Sequence, residues 1–167
     1  MERVIIIGCG GSGKSTLARA LGEKTALPVT HLDQIWWKPG NWQHLEPGEF
    51  DARLSELVQQ PAWIMDGNFD RTMGIRLEHC DTVIYMDFPA IVCLFSWVKR
   101  VIINWGRARV DMAEGCCEWF DPEFAGWILN FNKKHRKGYY EMLEGQKEKT
   151  VLIFRNRHQV RKFLNSL

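Results

Sequence analysis

The sequence has no C-x-x-C pair, and its five cysteines (Cys9, Cys80, Cys93, Cys116 and Cys117) are odd in number. This argues against a disulfide framework and a thiol-rich zinc site, and the adjacent Cys116 and Cys117 are poorly disposed to share one tetrahedral ion and read as structural. Long apolar runs are also missing. The longest, 90–98, ends at Lys99-Arg100 and falls far short of the roughly 20 residues that cross a bilayer. Residues 4–7 are too short for the core of an export signal and lead straight into glycines, so a cytoplasmic protein with no membrane partner is expected.

Net charge is scarce as well: a formal +2 over 167 residues does not by itself imply binding to a polyanion. Its distribution is uneven. Residues 1–98 carry 8 basic and 12 acidic side chains, which leaves 22 − 8 = 14 basic and 20 − 12 = 8 acidic in 99–167, so the halves are −4 and +6. Solvated helix faces produce such an asymmetry, and so does a basic half that faces a nucleotide. There is no internal repeat, low-complexity tract or linker, and the length suits one domain over 1–167.

What is present alternates between two periods. Apolar runs at 3–7, 28–32, 62–66, 82–87 and 150–154 read as strands. Between them, 14–24, 47–60 (opened by Pro47), 90–105, 122–144 as one long or broken helix, and 157–165 read as helices. Nearly continuous apolar strands separated by helices imply a parallel sheet covered on both faces, an α/β fold. The segment 106–121, GRARVDMAEGCCEWFD, is the least regular.

Residues 8–16, GCGGSGKST, satisfy G-x-x-x-x-G-K-S/T through Gly8, Gly13, Lys14 and Ser15, in the strand-to-helix context that gives the pattern its meaning. Successive backbone N–H groups must turn inward around phosphate oxygens, which needs angles that side chains forbid; Cys9, Gly10, Gly11 and Ser12 complete that wrap. Lys14 is expected at the β- and γ-phosphates, Ser15 on Mg²⁺ and Thr16 at the α-phosphate, with the helix N-terminus adding partial positive charge.

Three acids close predicted strands at the edge where open α/β sheets bind ligands: Asp33, Asp66 and Asp87. Asp66 suits a Walker B acid that holds a Mg²⁺-bound water. Asp33 suits a proton acceptor for an attacking hydroxyl or a second metal contact, against a plain turn role. Asp87, ahead of Pro89 and a helix, reads as a helix cap. Arg100, Arg107, Arg109 and Arg136 bracket the irregular segment, which as a lid would bring positive charge to a transferring phosphoryl group. Trp36, Trp37 and Trp42, beside Asp33, form either a wall for a flat or apolar acceptor or a cover for the sheet edge.

Together these residues resemble the P-loop nucleotide kinases of the adenylate kinase and shikimate kinase type. Through HLDQIWWKPGNW, DGNFDRT and RARVDMAEGC the chain is more closely similar to the bacterial DNA topology modulation, or FlaR-related, proteins. The resemblance covers most of the chain and implies a three-layer P-loop NTPase fold, a five-stranded sheet in the order 2-3-1-4-5, and a short lid at about 106–121. It implies ATP and Mg²⁺ as cofactors. It also implies acceptor contacts from Arg71 or Arg76, beside Asp33, Trp36, Trp37 and Asp66; hinge and lid arginines at Arg100, Arg107 and Arg109, with Arg136 following; and the ATP base against Arg155, Asn156 and Arg157. Asn68 and Asp70 break the adenylate kinase pattern, and the lid is short, which puts a nucleoside monophosphate acceptor in doubt.

The expected function is transfer of the ATP γ-phosphate to a small hydroxyl- or acid-bearing acceptor such as a nucleoside or nucleotide. The alternative is a nucleotide-dependent regulator of DNA topology, with DNA contacted by the basic half; no helix carries a dense basic stripe in a recognised DNA-binding motif. A GTPase is disfavoured, since the nearest approach to N-K-x-D is Asn132-Lys133-Lys134-His135.

Overall fold

The structure, a computed structural model, describes residues 1–40 and 42–167. Asn41, inside the His31–Trp42 stretch of the resemblance, lies outside the described residues. Among the described residues, five strands, β1 (Arg3–Gly8), β2 (Val29–His31), β3 (Trp63–Asp66), β4 (Thr82–Met86) and β5 (Thr150–Phe154), form one parallel sheet in the order β2-β3-β1-β4-β5. This is the order that the resemblance implies. In the central strand β1, Val4 to Ile7 are fully buried, and every residue of β4 is buried. Burial of successive residues, whose side chains alternate between faces, requires that both faces be covered.

The register fixes the binding edge. Ile6 pairs with Asp66, His31 also pairs with Asp66, and Gly8 pairs with Met86. The carboxyl ends of β1, β2 and β3 therefore come level, and the turns that follow them share one crevice.

Among the described residues, seven helices flank the strands: α1 (Lys14–Thr25), α2 (Leu32–Trp36), α3 (Pro47–Leu57), α4 (Met73–His79), α5 (Ala90–Ile103), α6 (Pro122–Glu144) and, after β5, α7 (Arg157–Asn165). α6 is a single unbroken helix. Pro122 occupies its first turn, and the Asp121 carboxylate caps it by accepting from the Glu123 and Phe124 N–H groups at 2.9 and 3.1 Å.

Three local expectations are corrected. Residues 32–36 are helical, so Asp33 sits in the first turn of α2 rather than in a loop after β2. Residues 70–79 form a 3₁₀ turn (Asp70–Thr72) running into α4, which the sequence pattern did not separate from a connection. Asp87 does not cap α5, whose cap position is Pro89. Its Oδ2 instead accepts from Arg136 Nε and Nη2 at 3.1 and 2.8 Å and from the Tyr140 hydroxyl at 2.8 Å. The acid at the end of β4 thus ties α6 to the sheet.

Arg76 gives the fold a second polar tie. The side chain is fully buried, and its guanidinium donates to the carbonyls of Gly67 (2.9 Å) and Phe69 (3.1 Å) and to that of Asn68. Burial brings its pKa down to about 10. Arg76→Met is expected to unfold at lower denaturant, by about 3 kcal/mol, because one buried and two part-buried carbonyls lose their donor at roughly 1–3 kcal/mol each. Equilibrium unfolding in urea checks this, and a loss below about 1 kcal/mol would show that water replaces the guanidinium.

Candidate functional site

The glycine loop between β1 and α1 is shaped by contacts that no side chain would permit. A Cβ on Gly11, which has φ +77°, would lie 2.2 Å from the Cys93 carbonyl oxygen, and one on Gly10 would lie 2.6 Å from Phe124. The loop therefore packs against α5 and α6 at backbone distance. Gly13 precedes α1 with no side-chain cap, so the first N–H groups of that helix have no capping side chain. The Ser12 hydroxyl is buried without a hydrogen-bond partner.

Lys14 folds back over the loop, its Nζ donating to the carbonyls of Gly8 (2.9 Å) and Cys9 (3.1 Å). Burial lowers its pKa, opposed by the nearby Asp66 and Asp33 carboxylates. Ser15 Oγ donates to Asp66 Oδ2 at 2.7 Å, and the other Asp66 oxygen meets His31 Nδ1. His31 is a partner that the sequence did not suggest, although it precedes Asp33 by two residues. Among the described residues, no group of three or more His, Cys, Asp or Glu is arranged to hold a metal ion.

A cleft of about 660 Å³ opens over the loop. Gly10, Gly11, Gly13, Lys14, Ser15 and Thr16 form its floor; Asp33, Trp37, Trp42 and Gly67–Phe69 line the side beside β2 and β3. Ser96, Trp97 and Arg157 line the side beside β4 and β5, and Phe124 and Trp127 of α6 also face the cleft. Arg157 donates to Ser96 Oγ at 2.6 Å.

The segment 106–121 covers this cleft and carries its own charge network. Arg109 Nε lies 2.7 Å and Arg100 Nε 3.2 Å from Glu118 Oε1, and Arg109 Nη1 donates to Asp111 Oδ2 at 3.0 Å. Burial lowers the Arg100 pKa, and Arg109 lowers it further while Glu118 opposes the change. For Asp111, burial opposes ionisation, but Arg109 and the Ser15 hydroxyl outweigh it, and the carboxyl falls below its ordinary range. Asp33 behaves oppositely: burial, then the neighbouring Asp66, raises its pKa against the pull of Lys14 and Arg109.

The structure thus brings Lys14, Ser15, Asp33, Trp37, Arg100 and Arg109 to one cleft, with Asp66 behind Ser15. Other expected site residues stand outside its lining. Arg76 is committed to the 67–69 carbonyls, and Arg71 pairs with Asp51 at 2.8 Å. Arg136 is held by Asp87, and Arg107 is exposed on the lid segment. Trp36 stacks on His44 at 4.9 Å and packs against Phe50 and Phe69. Arg155 reaches Tyr140, and Asn156 caps α7, so of that turn only Arg157 reaches the cleft. Cys116 is buried, its thiol 3.7 Å from the Lys38 carbonyl, in keeping with a structural role.

No family model matches the chain, and no curated protein does. Solved structures match its fold. Over 99% of this chain the fold is similar to shikimate kinase of Acinetobacter baumannii in complex with shikimate, covering 90% of that chain at 15% identity and a TM-score of 0.61. Over the same 99% it is similar to shikimate kinase of Bacteroides thetaiotaomicron, covering 95% of that chain at 16% identity with TM-score 0.57. An unliganded sugar kinase of Janibacter sp. HTCC2649 matches 99% of this chain and 91% of its own, at 14% identity with TM-score 0.52. The likeness is one of fold, and the chain is built on a P-loop kinase-like α/β fold.

Proposed function

We propose that this protein is an ATP- and Mg²⁺-dependent phosphotransferase acting on a small hydroxyl-bearing acceptor. The observation that carries the reading is the glycine loop, which presents Lys14 and Ser15 to a cleft shared with Asp33, Arg100 and Arg109. The loop fits a phosphate chain: Gly8, Gly10 and Gly11 leave no room for Cβ atoms, and the buried Ser12 hydroxyl lacks a partner.

Bound Mg·ATP would supply the γ-phosphoryl group, which leaves the β–γ bridging oxygen as the acceptor oxygen bonds to phosphorus. Lys14 and the loop N–H groups would hold its β- and γ-phosphates, and Thr16 its α-phosphate. Ser15 and, through water, Asp66 would hold the metal. Asp33 would take the acceptor's hydroxyl proton, and Arg100 and Arg109 would neutralise charge on the transferring group.

The test is a thermal-shift and ADP-release screen of the purified protein with Mg·ATP against nucleosides, nucleotides, sugars and small alcohols or acids. An acceptor that raises ADP release above the water background establishes the transferase and its acceptor class. A nucleotide-dependent regulator associated with DNA topology is the reading favoured by ATP stabilisation without turnover. Salt-dependent DNA binding would then support it, and no binding at low salt would remove it.

A further inference from the structure

The phosphotransferase reading leaves the acceptor open, and the charge in one half of the cleft narrows it. The sheet order sets the glycine loop after β1 between two half-clefts: one beside β2 and β3, with Asp33, Trp37, Trp42 and Phe69, and one beside β4 and β5, with Ser96 and Arg157. Phosphates over the loop divide the two. If the nucleoside lies toward β5, the acceptor occupies the half beside Asp33.

Among the described residues, no cation lining that half is without an acid or carbonyl partner, and Lys38, between Trp37 and Trp42, does not line the cleft. Arg76 and Arg71, the expected acceptor contacts, are spent on backbone carbonyls and on Asp51. Arg100 and Arg109 face Glu118, and Arg109 also faces Asp111. Lys14 lies on the loop carbonyls. Asp33, in contrast, lines the cleft with no hydrogen-bond or ion-pair partner among the described residues. A carboxylate or phosphate on the acceptor would meet, in a half-buried wall, an acid that Lys14 and Arg109 only partly offset and that no cation among the described residues contacts directly, an arrangement that disfavours both charges.

The rest of the wall is aromatic. Trp37 and Trp42 meet edge to face, with centroids 5.3 Å apart and planes at 75°. The faces of such rings are the negative ends of their quadrupoles and attract ammonium groups.

We propose that the acceptor is a hydroxylated amine (an amino alcohol, amino sugar or aminocyclitol) whose ammonium lies against Trp37 and Trp42 and whose hydroxyl is at Asp33. The ammonium supplies the cation contact that Asp33 lacks among the described residues, and the hydroxyl lies beside the carboxylate that takes its proton. The inference rests on the phosphotransferase reading for its hydroxyl and not for its cation.

Sets of compounds sharing a skeleton test it: 3-aminopropanol, 1,3-propanediol and 3-hydroxypropionate; glucosamine, glucose and glucuronate. Each is titrated by calorimetry into the full chain saturated with Mg²⁺ and a non-hydrolysable ATP analogue. The amine of at least one set is expected to bind about 10-fold or more tightly than its neutral and acidic counterparts. Trp37→Leu should lower that affinity about 10-fold and leave analogue binding unchanged; Trp42→Leu serves if the first variant does not fold. Equal or tighter binding of the acid or diol, or no binding by any compound, overturns the proposal. If the analogue itself fails to bind, the phosphotransferase reading fails, and the same titration into free protein still decides the amine preference. An amine that binds without ADP release under Mg·ATP fails the kinase reading alone.

Discussion

Lys14→Ala is expected to slow ATP-dependent phosphoryl transfer about 10³-fold, roughly 4 kcal/mol of transition-state stabilisation, and to abolish the rise in thermal midpoint that Mg·ATP produces. The lysine is the one cation placed on the floor of the glycine loop, and its pKa is already lowered by burial. Its ammonium donates to the Gly8 and Cys9 carbonyls. Its removal forfeits two hydrogen bonds and the attraction to Asp66 and Asp33 but relieves the burial of a charge, so the opposing effects largely offset. The variant should therefore fold with a near-normal midpoint and a flat response to ATP. A variant that keeps more than half of the ATP-dependent shift would show that the nucleotide is held elsewhere. One that loses its fold would move the test to Lys14→Met, which keeps the side-chain volume.

Strand and loop were legible for different reasons. β1 was readable because four successive buried residues have no other use than a strand covered on both faces, and β5 and α7 matched to the residue. The glycine loop was readable because its chemistry depends on backbone spacing, which sequence records directly. Arg76 shows what sequence position cannot supply. It falls where the resemblance puts an acceptor contact, but α4 is only seven residues long and carries no clear period. The turn that points Arg76 inward toward the 67–69 carbonyls was therefore hidden. The acids of the lid were missed for a related reason: Asp111 and Glu118 lie in a segment with no regular element, where the fold and not the spacing decides which charges meet. Asp87 was misread because a polar residue before a helix suggests a cap, whereas its true partners, Arg136 and Tyr140, lie about fifty residues further along.

Asp33→Asn is expected to raise stability while lowering activity, which few substitutions at a structural acid would do. The carboxyl has a raised pKa in the folded protein because burial and Asp66 disfavour its charge. The folded state therefore holds this proton more tightly than the unfolded state does. Stability from the group is complete below the ordinary carboxylate value of 3.8, declines as the pH rises toward the raised folded value, and stays reduced above it. Asparagine removes the charge and keeps the shape. The midpoint of Asp33→Asn should equal that of the native protein at the acid end and exceed it by about 2–4 °C at neutral pH, on the order of 1 kcal/mol. Turnover should fall about 10²- to 10⁴-fold, the usual range for loss of a positioned proton acceptor. The native protein's rate should also decline with acid at a pH above the ordinary carboxylate range, since protonated Asp33 cannot take the hydroxyl proton. Thermal melts across pH, paired with a pH–rate profile, separate the roles. A lower midpoint at neutral pH would mean that Asp33 is structurally engaged, and activity kept within tenfold would mean that another group, or the phosphoryl group itself, takes the proton.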